Sequence, residues 1–297
     1  MRLLVIGRSG QLAQCLARVA DAARDVEAVL AGRPQADLAD ATTLASAMAA
    51  ARPDVVINAA AYTAVDKAES ERDAAFAINA TGAGNLAAAA SGAGVPLIHV
   101  STDYVYGGTK PAPYVETDPT GPIGVYGASK LEGERLVAAC CPRHIIVRTS
   151  WVVSPYGSNF CKTMLRLAAD RDELRVVSDQ IGSPTYAVDL AAALIELARK
   201  MAGRPVEDQR WGVYHLANAG TTSWAGLAEA TLVASLAHGG RVVPIRHITT
   251  AEYPTPARRP ANSRLDCTRM AQAFGIAMPP WQDAVERCVS ELMGKRT

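Results

Sequence analysis

Arg2-Leu3-Leu4-Val5-Ile6-Gly7-Arg8-Ser9-Gly10-Gln11-Leu12-Ala13 runs from a short apolar stretch through a glycine turn into an alanine-rich segment. The apolar stretch reads as a buried strand and the segment from Gln11 as a helix. Gly7 permits a tight turn, and Gly10 lets the backbone approach a pyrophosphate. Ala13 stands where a third glycine would allow close helix–sheet packing, and alanine is small enough for the place. The helix N terminus then offers unpaired N–H groups and a positive dipole end to phosphates. Two glycines alone are a weak signal; their place after the first strand of a βαβ series gives them weight.

That series continues outward. Glu27 to Leu30, Asp54 to Asn58, Pro96 to Val100 and His144 to Thr149 are short, apolar and rich in Val, Ile or Leu, as buried strands are. Gln11 to Ala23, Thr42 to Ala51, Ala74 to Ser91 and Tyr126 to Ala139 are alanine-rich and free of internal proline, which predicts helices. The alternation predicts an α/β fold: a Rossmann-type doubly wound parallel sheet with a smaller C-terminal substrate-binding domain. The second half is less regular. Asn159 to Ala169, Val188 to Lys200 and Trp281 to Met293 read as helices, Val213 to Leu216 as a strand, and Pro254 to Pro260 as a loop. The expected division is 1–150 plus about 184–218 for the dinucleotide-binding domain, and about 151–183 plus 219–297 for the substrate domain.

Bulk properties narrow the function. A chain of 297 residues that is 49% hydrophobic can bury a substantial core. A net charge of +1 without a basic stripe argues against a nucleic-acid partner. The N-terminal apolar run is too short for a signal peptide, and no stretch would span a bilayer, so no membrane association is expected. Six cysteines without zinc-ligand or redox spacing read as reduced thiols of a cytoplasmic protein.

The ends of the strands carry the chemistry. The second ends Leu30-Ala31-Gly32-Arg33, without the acid that binds an NAD ribose. Arg33 could pair with the 2′-phosphate of NADPH, or be a solvated loop arginine. Asp37 and Leu38 could meet the adenine. Small residues at Ala59, Ala60 and Ala61 would let a cofactor cross the strand ends, next to Tyr62. Tyr126-Gly127-Ala128-Ser129-Lys130 opens a helix with Tyr and Lys on one face. The Lys130 charge should lower the phenol's pKa and so ease proton donation to a ketone oxygen. Val100-Ser101-Thr102-Asp103-Tyr104 closes the fourth strand, with Thr102 as the expected catalytic hydroxyl and Ser101 as its support.

With these blocks in place the sequence resembles the extended short-chain dehydrogenase/reductase superfamily and, within it, the dTDP-4-dehydrorhamnose reductases. The most specific blocks are Tyr62-Thr-Ala-Val-Asp-Lys-Ala-Glu69 and Arg259-Pro-Ala-Asn-Ser-Arg-Leu265, joined by Arg148-Thr-Ser-Trp-Val152, Asn159-Phe160 and Asp179-Gln-Ile-Gly-Ser-Pro-Thr185. The resemblance covers nearly the whole chain. It implies reduction of a sugar nucleotide's 4-keto group by NADPH, with NADH as an alternative donor. It implies Thr102, Tyr126 and Lys130 as the catalytic set. The cofactor set is Gly7, Gly10, Gln11, Leu12, Arg33, Asp37, Leu38, Ala59, Ala60, Ala61 and Tyr62, with Tyr126 and Lys130. The sugar nucleotide would meet Thr102, Tyr104, Trp151, Asn159, Arg259 and Asn262. Trp151 could instead be a core tryptophan, and Arg258 and Arg259 could form loop ion pairs.

Three positions depart from the family pattern. Ala13 replaces the third glycine. Tyr106-Gly107 stands where Phe-Asp is usual. Cys15 replaces a glutamate that some members use at a magnesium-bridged dimer contact, so no metal is carried over and a homodimer stays open. Two other readings remain: a non-catalytic regulatory subunit of methionine adenosyltransferase, and a sugar-nucleotide epimerase or dehydratase, for which the acidic Asp103 is a reminder. The Trp151 and Asn262-Ser263 blocks favour the reductase.

Overall fold

The computed structural model describes residues 1–294. Strand β1 (Arg2–Ile6) sends Leu3 and Val5 into one apolar cluster and Leu4 and Ile6 into another, all four buried. A strand apolar on both faces must be covered twice, which a parallel sheet between helices provides. The chain continues through α1 (Gln11–Ala22), β2 (Glu27–Ala31), α2 (Ala41–Ala51) and β3 (Val55–Asn58). Next come α3 (Val65–Ala68), α4 (Arg72–Phe76), a π-helical turn (Ala77–Thr81), α5 (Gly82–Gly92), β4 (Leu97–Thr102), α6 (Val125–Cys140) and β5 (His144–Thr149). The second half supplies β6 (Val152–Val153), α7 (Phe160–Asp170), β7 (Leu174–Val177), β8 (Ile181–Gly182), β9 (Thr185–Tyr186), α8 (Ala187–Met201) and β10 (Gly212–His215). It ends with β11 (Thr222–Ser223), α9 (Trp224–Ser235), β12 (Ile245–Ile248), β13 (Asn262–Ser263), α10 (Thr268–Phe274) and α11 (Trp281–Gly294).

Six strands form the main sheet in the order β10-β5-β4-β3-β1-β2, every pairing parallel. Leu12 and Leu16 of α1 and Leu190 and Leu194 of α8 cover one face with Val5 and Ile57. Leu44, Leu86 and Val137, from α2, α5 and α6, cover the other with Leu4 and Val56. The strand order turns at β1, whose neighbours are β2 and β3. A crevice opens at such a switch point beyond the carboxyl ends of the strands.

The second half builds small sheets, β11-β8-β13, β7-β12 and β6-β9. A separate core holds Trp151, Tyr186, Leu227, Trp281 and Val285. The expected boundary near 219 does not hold for α10, because Met270 and Phe274 pack in the core beneath the main sheet. Residues 295–297 of the expected second unit lie outside the described residues.

One expected helix is not continuous. The stretch Ala74 to Ser91 is interrupted by the π-helical turn, which carries buried Asn79. The Asn79 side chain accepts from Tyr62 N–H and donates to the Tyr62 carbonyl and to Ser129 Oγ. A π turn adds a residue to the helical ring and re-aims the side chain it carries. Helix α9 was not expected. Its N-cap is Ser223, whose hydroxyl accepts from Gly226 N–H.

Candidate active site

A cavity of about 1320 Å³ lies over the carboxyl ends of β1, β3 and β4. Every expected cofactor residue lines it: Gly7, Gly10, Gln11, Leu12, Arg33, Asp37, Leu38, Ala59, Ala60, Ala61, Tyr62, Tyr126 and Lys130. Gly7 has φ +126°, a value that favours glycine, and its N–H donates to the Ala31 carbonyl at 2.7 Å. A Cβ on Gly10 would meet no protein atom, and no side chain caps α1, so its first N–H groups face open space. The turn therefore fits a diphosphate. Ala13 is fully buried beside Gly7, so its methyl fits where a third glycine would stand.

At the end of β2 the sequence reading missed Arg8. Its side chain packs over Gly32, its Cγ 3.1 Å from where a Cβ would stand, and both Arg8 and Arg33 line the exposed end of the cavity. Two guanidinium groups at the end of a strand that itself carries no acid suit a ribose 2′-phosphate. The signal was present, since Arg8 sits inside the glycine turn.

Thr102, Tyr104, Tyr126 and Trp151 line the same cavity. Thr102 ends β4, accepts from Tyr104 N–H at 3.2 Å and donates to Asp103 Oδ1 at 3.0 Å. The Tyr104 and Tyr126 rings meet edge to face with centroids 5.5 Å apart. Ser101 does not support Thr102. Its hydroxyl donates to buried Glu134, which is also held by two nitrogens of Arg148. Alternation along a strand turns adjacent side chains to opposite faces, so Ser101 and Thr102 serve different networks.

The expected lysine effect is also absent. Lys130 Nζ donates to the Val100 carbonyl at 2.8 Å and lies 3.2 Å from His99 Nε2. Burial lowers Lys130 to about 8. Burial pushes the Tyr126 phenol up to about 12, with the neighbouring Thr102 hydroxyl drawing it down and Asp103 adding to the rise. Desolvation thus dominates, and Tyr126 is a protonated phenol over the neutral range.

Trp151 has φ +47°, an uncommon conformation for a bulky side chain. Its indole stacks on Trp224 with centroids 3.6 Å apart and an interplanar angle of 10°. The Trp224 Nε1–H donates to Gln180 Oε1, which fixes the outer ring of the stack. Trp224 went unseen in the sequence because nothing local links it to Trp151.

Three expected substrate residues do not line the cavity. Asn159 caps α7 by accepting from Lys162 N–H and donates to Gln11 Oε1 and the Ser154 carbonyl. Asn262 is buried; its amide donates to the Lys110 and Ala112 carbonyls, and its oxygen accepts from Arg264. Both amides are therefore already engaged in holding backbone. Arg259 makes a two-nitrogen pair with Asp66, which joins the two most branch-specific blocks. Arg258 is exposed.

The departures from the pattern have local explanations. Tyr106 stacks on Tyr114, and its hydroxyl accepts from Arg148 and meets His215 Nε2 at 2.7 Å. Cys15 is fully buried, so it offers no surface for a contact between chains. Among the described residues no helix is long and apolar enough to cross a membrane, and no cluster of His, Cys, Asp or Glu is placed to hold a metal ion.

The family model of the RmlD substrate binding domain matches residues 1–293. A dTDP-4-dehydrorhamnose reductase of Sinorhizobium fredii is 52% identical over 99% of this chain and 98% of the relative. The enzyme of that name from Escherichia coli K12 is 41% identical over 98% of each chain. A crystal structure of the Bacillus anthracis dTDP-4-dehydrorhamnose reductase, in complex with NADP, superposes with a TM-score of 0.90 at 36% identity. It covers 98% of this chain and 99% of its own.

Proposed function

The chain belongs to the dTDP-4-dehydrorhamnose reductase family, that of the RmlD substrate binding domain, and from this premise we propose how its own residues carry out the reaction. It is an oxidoreductase that uses NADPH to reduce the 4-keto group of dTDP-4-dehydrorhamnose. When bound, NADPH supplies the hydride that adds to the carbonyl carbon. Gly7, Gly10 and the N terminus of α1 would hold its diphosphate, and Arg8 with Arg33 would hold the 2′-phosphate. NADH, lacking that phosphate, would be the weaker donor.

Tyr126 donates the proton to the ketone oxygen. A phenol at about 12 stays protonated until negative charge develops on that oxygen, and the sugar alkoxide is the stronger base, so the transfer runs downhill. Thr102 hydrogen-bonds the same oxygen. Lys130 is a positioning residue, fixed by Val100 and His99, and would hold the cofactor's ribose. Trp151 packs its ring against the apolar face of the deoxysugar. Asn159, Asn262 and Arg259 brace segments outside the cavity, through the Ser154 carbonyl, the Lys110 and Ala112 carbonyls and the Asp66 carboxylate.

The observation that carries this reading is the meeting of the Thr102 and Tyr126 hydroxyls in one cavity with the glycine turn and Trp151. The test follows NADPH oxidation with the 4-keto-6-deoxy sugar nucleotide, with and without a 3,5-epimerase. One NADPH consumed per sugar is expected, whereas an epimerase or dehydratase would return its cofactor to the starting form. Tyr126→Phe should lower turnover roughly 100- to 10,000-fold with NADPH affinity retained. Near-normal turnover would remove Tyr126 from the mechanism.

A further inference from the structure

We propose that Asp103 is a positioning residue that must carry a proton for Thr102 to donate its hydroxyl hydrogen to the ketone oxygen. The proposal rests on the reading that Thr102 and Tyr126 receive that oxygen. Asp103 is 2% exposed and lines the cavity. Its Oδ1 accepts the Thr102 hydroxyl, and its Oδ2 has no hydrogen-bond partner among the described residues. A buried carboxylate oxygen without a donor is costly.

A hydroxyl has one hydrogen to give. Here Thr102 gives it to Asp103 and accepts from Tyr104 N–H. With Asp103 ionised, turning that hydrogen toward a substrate would cost the buried carboxylate its Thr102 donor and leave it the Ser263 hydroxyl and nearby backbone N–H groups. With Asp103 protonated, its O–H donates to Thr102 Oγ1 across the same 3.0 Å, and the threonine hydrogen is free. The chain then runs from Asp103 through Thr102 to the ketone oxygen, each group donating once.

The surroundings favour the acid. Thr102 and Tyr104 on its own segment, Tyr126 on α6 and Ser263 on β13 face Asp103, and none is a cation. Arg259, which acts on the adjacent Tyr104, is tied to Asp66. Burial raises Asp103 from the ordinary carboxyl range to about 6, with the Ser263 and Thr102 hydroxyls opposing the rise. Raised in this way, the group holds its proton below that value and releases it as pH rises through it. The donating arrangement is therefore filled on the acid side and empties toward alkaline pH.

The experiment is single-turnover oxidation of NADPH by the 4-keto sugar nucleotide across pH, for wild type, Asp103→Asn, Asp103→Leu and Thr102→Val. Melting temperature and NADPH affinity are measured for each. In the wild type the rate should fall about tenfold per pH unit above one ionisation. Asp103→Asn, whose amide donates to Thr102 at every pH, should remain active and lose that alkaline limb. Asp103→Leu should lose rate at every pH while still binding NADPH. An unchanged alkaline limb in Asp103→Asn, with Thr102→Val inactive, would overturn the role of Asp103 and leave Thr102 in place. Full turnover by Thr102→Val would overturn the reading of the site and the proposal together.

Discussion

Gly182→Ala places one methyl group against the proposed sugar-stacking tryptophan. A Cβ on Gly182 would lie 2.7 Å from Trp151 Cζ2 and 2.8 Å from its Nε1. Carbon atoms pack at about 3.5–4.0 Å, so the indole must shift by roughly 1 Å. The ring cannot retreat freely, because Trp224 is stacked on it and Trp224 is hydrogen-bonded to Gln180. Overpacking of this kind costs about 1–3 kcal/mol of stability. A misplacement of about 1 Å near a reacting centre can lower the rate roughly 100-fold. The assay is kcat/KM for the sugar nucleotide, with NADPH affinity measured on the same sample. NADPH binding should be unchanged, since the glycine turn lies on other elements. Adding Trp151→Phe to Gly182→Ala should restore stability and only part of the activity, because the smaller ring makes room but offers the sugar less stacking area. A folded Gly182→Ala protein with wild-type kcat/KM would refute the placement of the sugar against Trp151.

Arg33→Ala and Arg8→Ala should each weaken NADPH by about 1.5–3 kcal/mol, the range for a hydrogen bond to a charged group, and leave NADH unaffected in fluorescence titrations. Equal losses for both cofactors would rule out the 2′-phosphate site. Glu134→Ala leaves Arg148 buried without its carboxylate and should cost about 3–5 kcal/mol in denaturant unfolding; both side chains of that pair are only 5% exposed. His215 is pushed down to about 4, first by burial and then by the Arg148 charge. Between that value and the ordinary 6.5 the unfolded chain binds the extra proton, so this contribution to stability is present at neutral pH and is lost as pH falls. Comparison with His215→Gln should show the wild type's advantage shrinking by about 2 kcal/mol between about pH 7 and pH 5; a constant difference would contradict it.

The sheet was legible because each of its strands announces itself locally. Leu3 to Ile6 and Val55 to Ile57 are apolar on both faces, and the turns between elements carry their own glycines and caps. The cofactor wall was legible for the same reason, since Gly7, Gly10 and Ala59 to Ala61 are contiguous with strand ends. What stayed hidden depends on pairings between distant residues. Asp66 and Arg259 are 193 positions apart, and nothing in either block says that they neutralise each other. Asn262 looked like a ligand residue because its amide partners, the Lys110 and Ala112 carbonyls, are not side chains and leave no trace in the sequence. Strands of two residues such as β8 and β13 are too short for any alternation to register. The absence of a Lys130 effect on Tyr126 could not be foreseen either, because helical spacing gives proximity but not depth of burial.

The position of β10 limits how this protein can be taken apart. That strand closes one margin of the main sheet against β5, yet it comes from Gly212–His215, after the chain has left the sheet to build β6 through β9. A fragment ending near residue 150 would lose β10 and also α8, which covers α1. It would show a bare row of peptide groups along β5 and an uncovered apolar face, the combination that lets sheets stack into aggregates. The nucleotide-binding half is therefore not an excisable cassette. Exchanging sugar specificity between relatives calls for grafting the stretches between β5 and α8 and beyond β10 onto an intact sheet, with both crossings of the chain preserved.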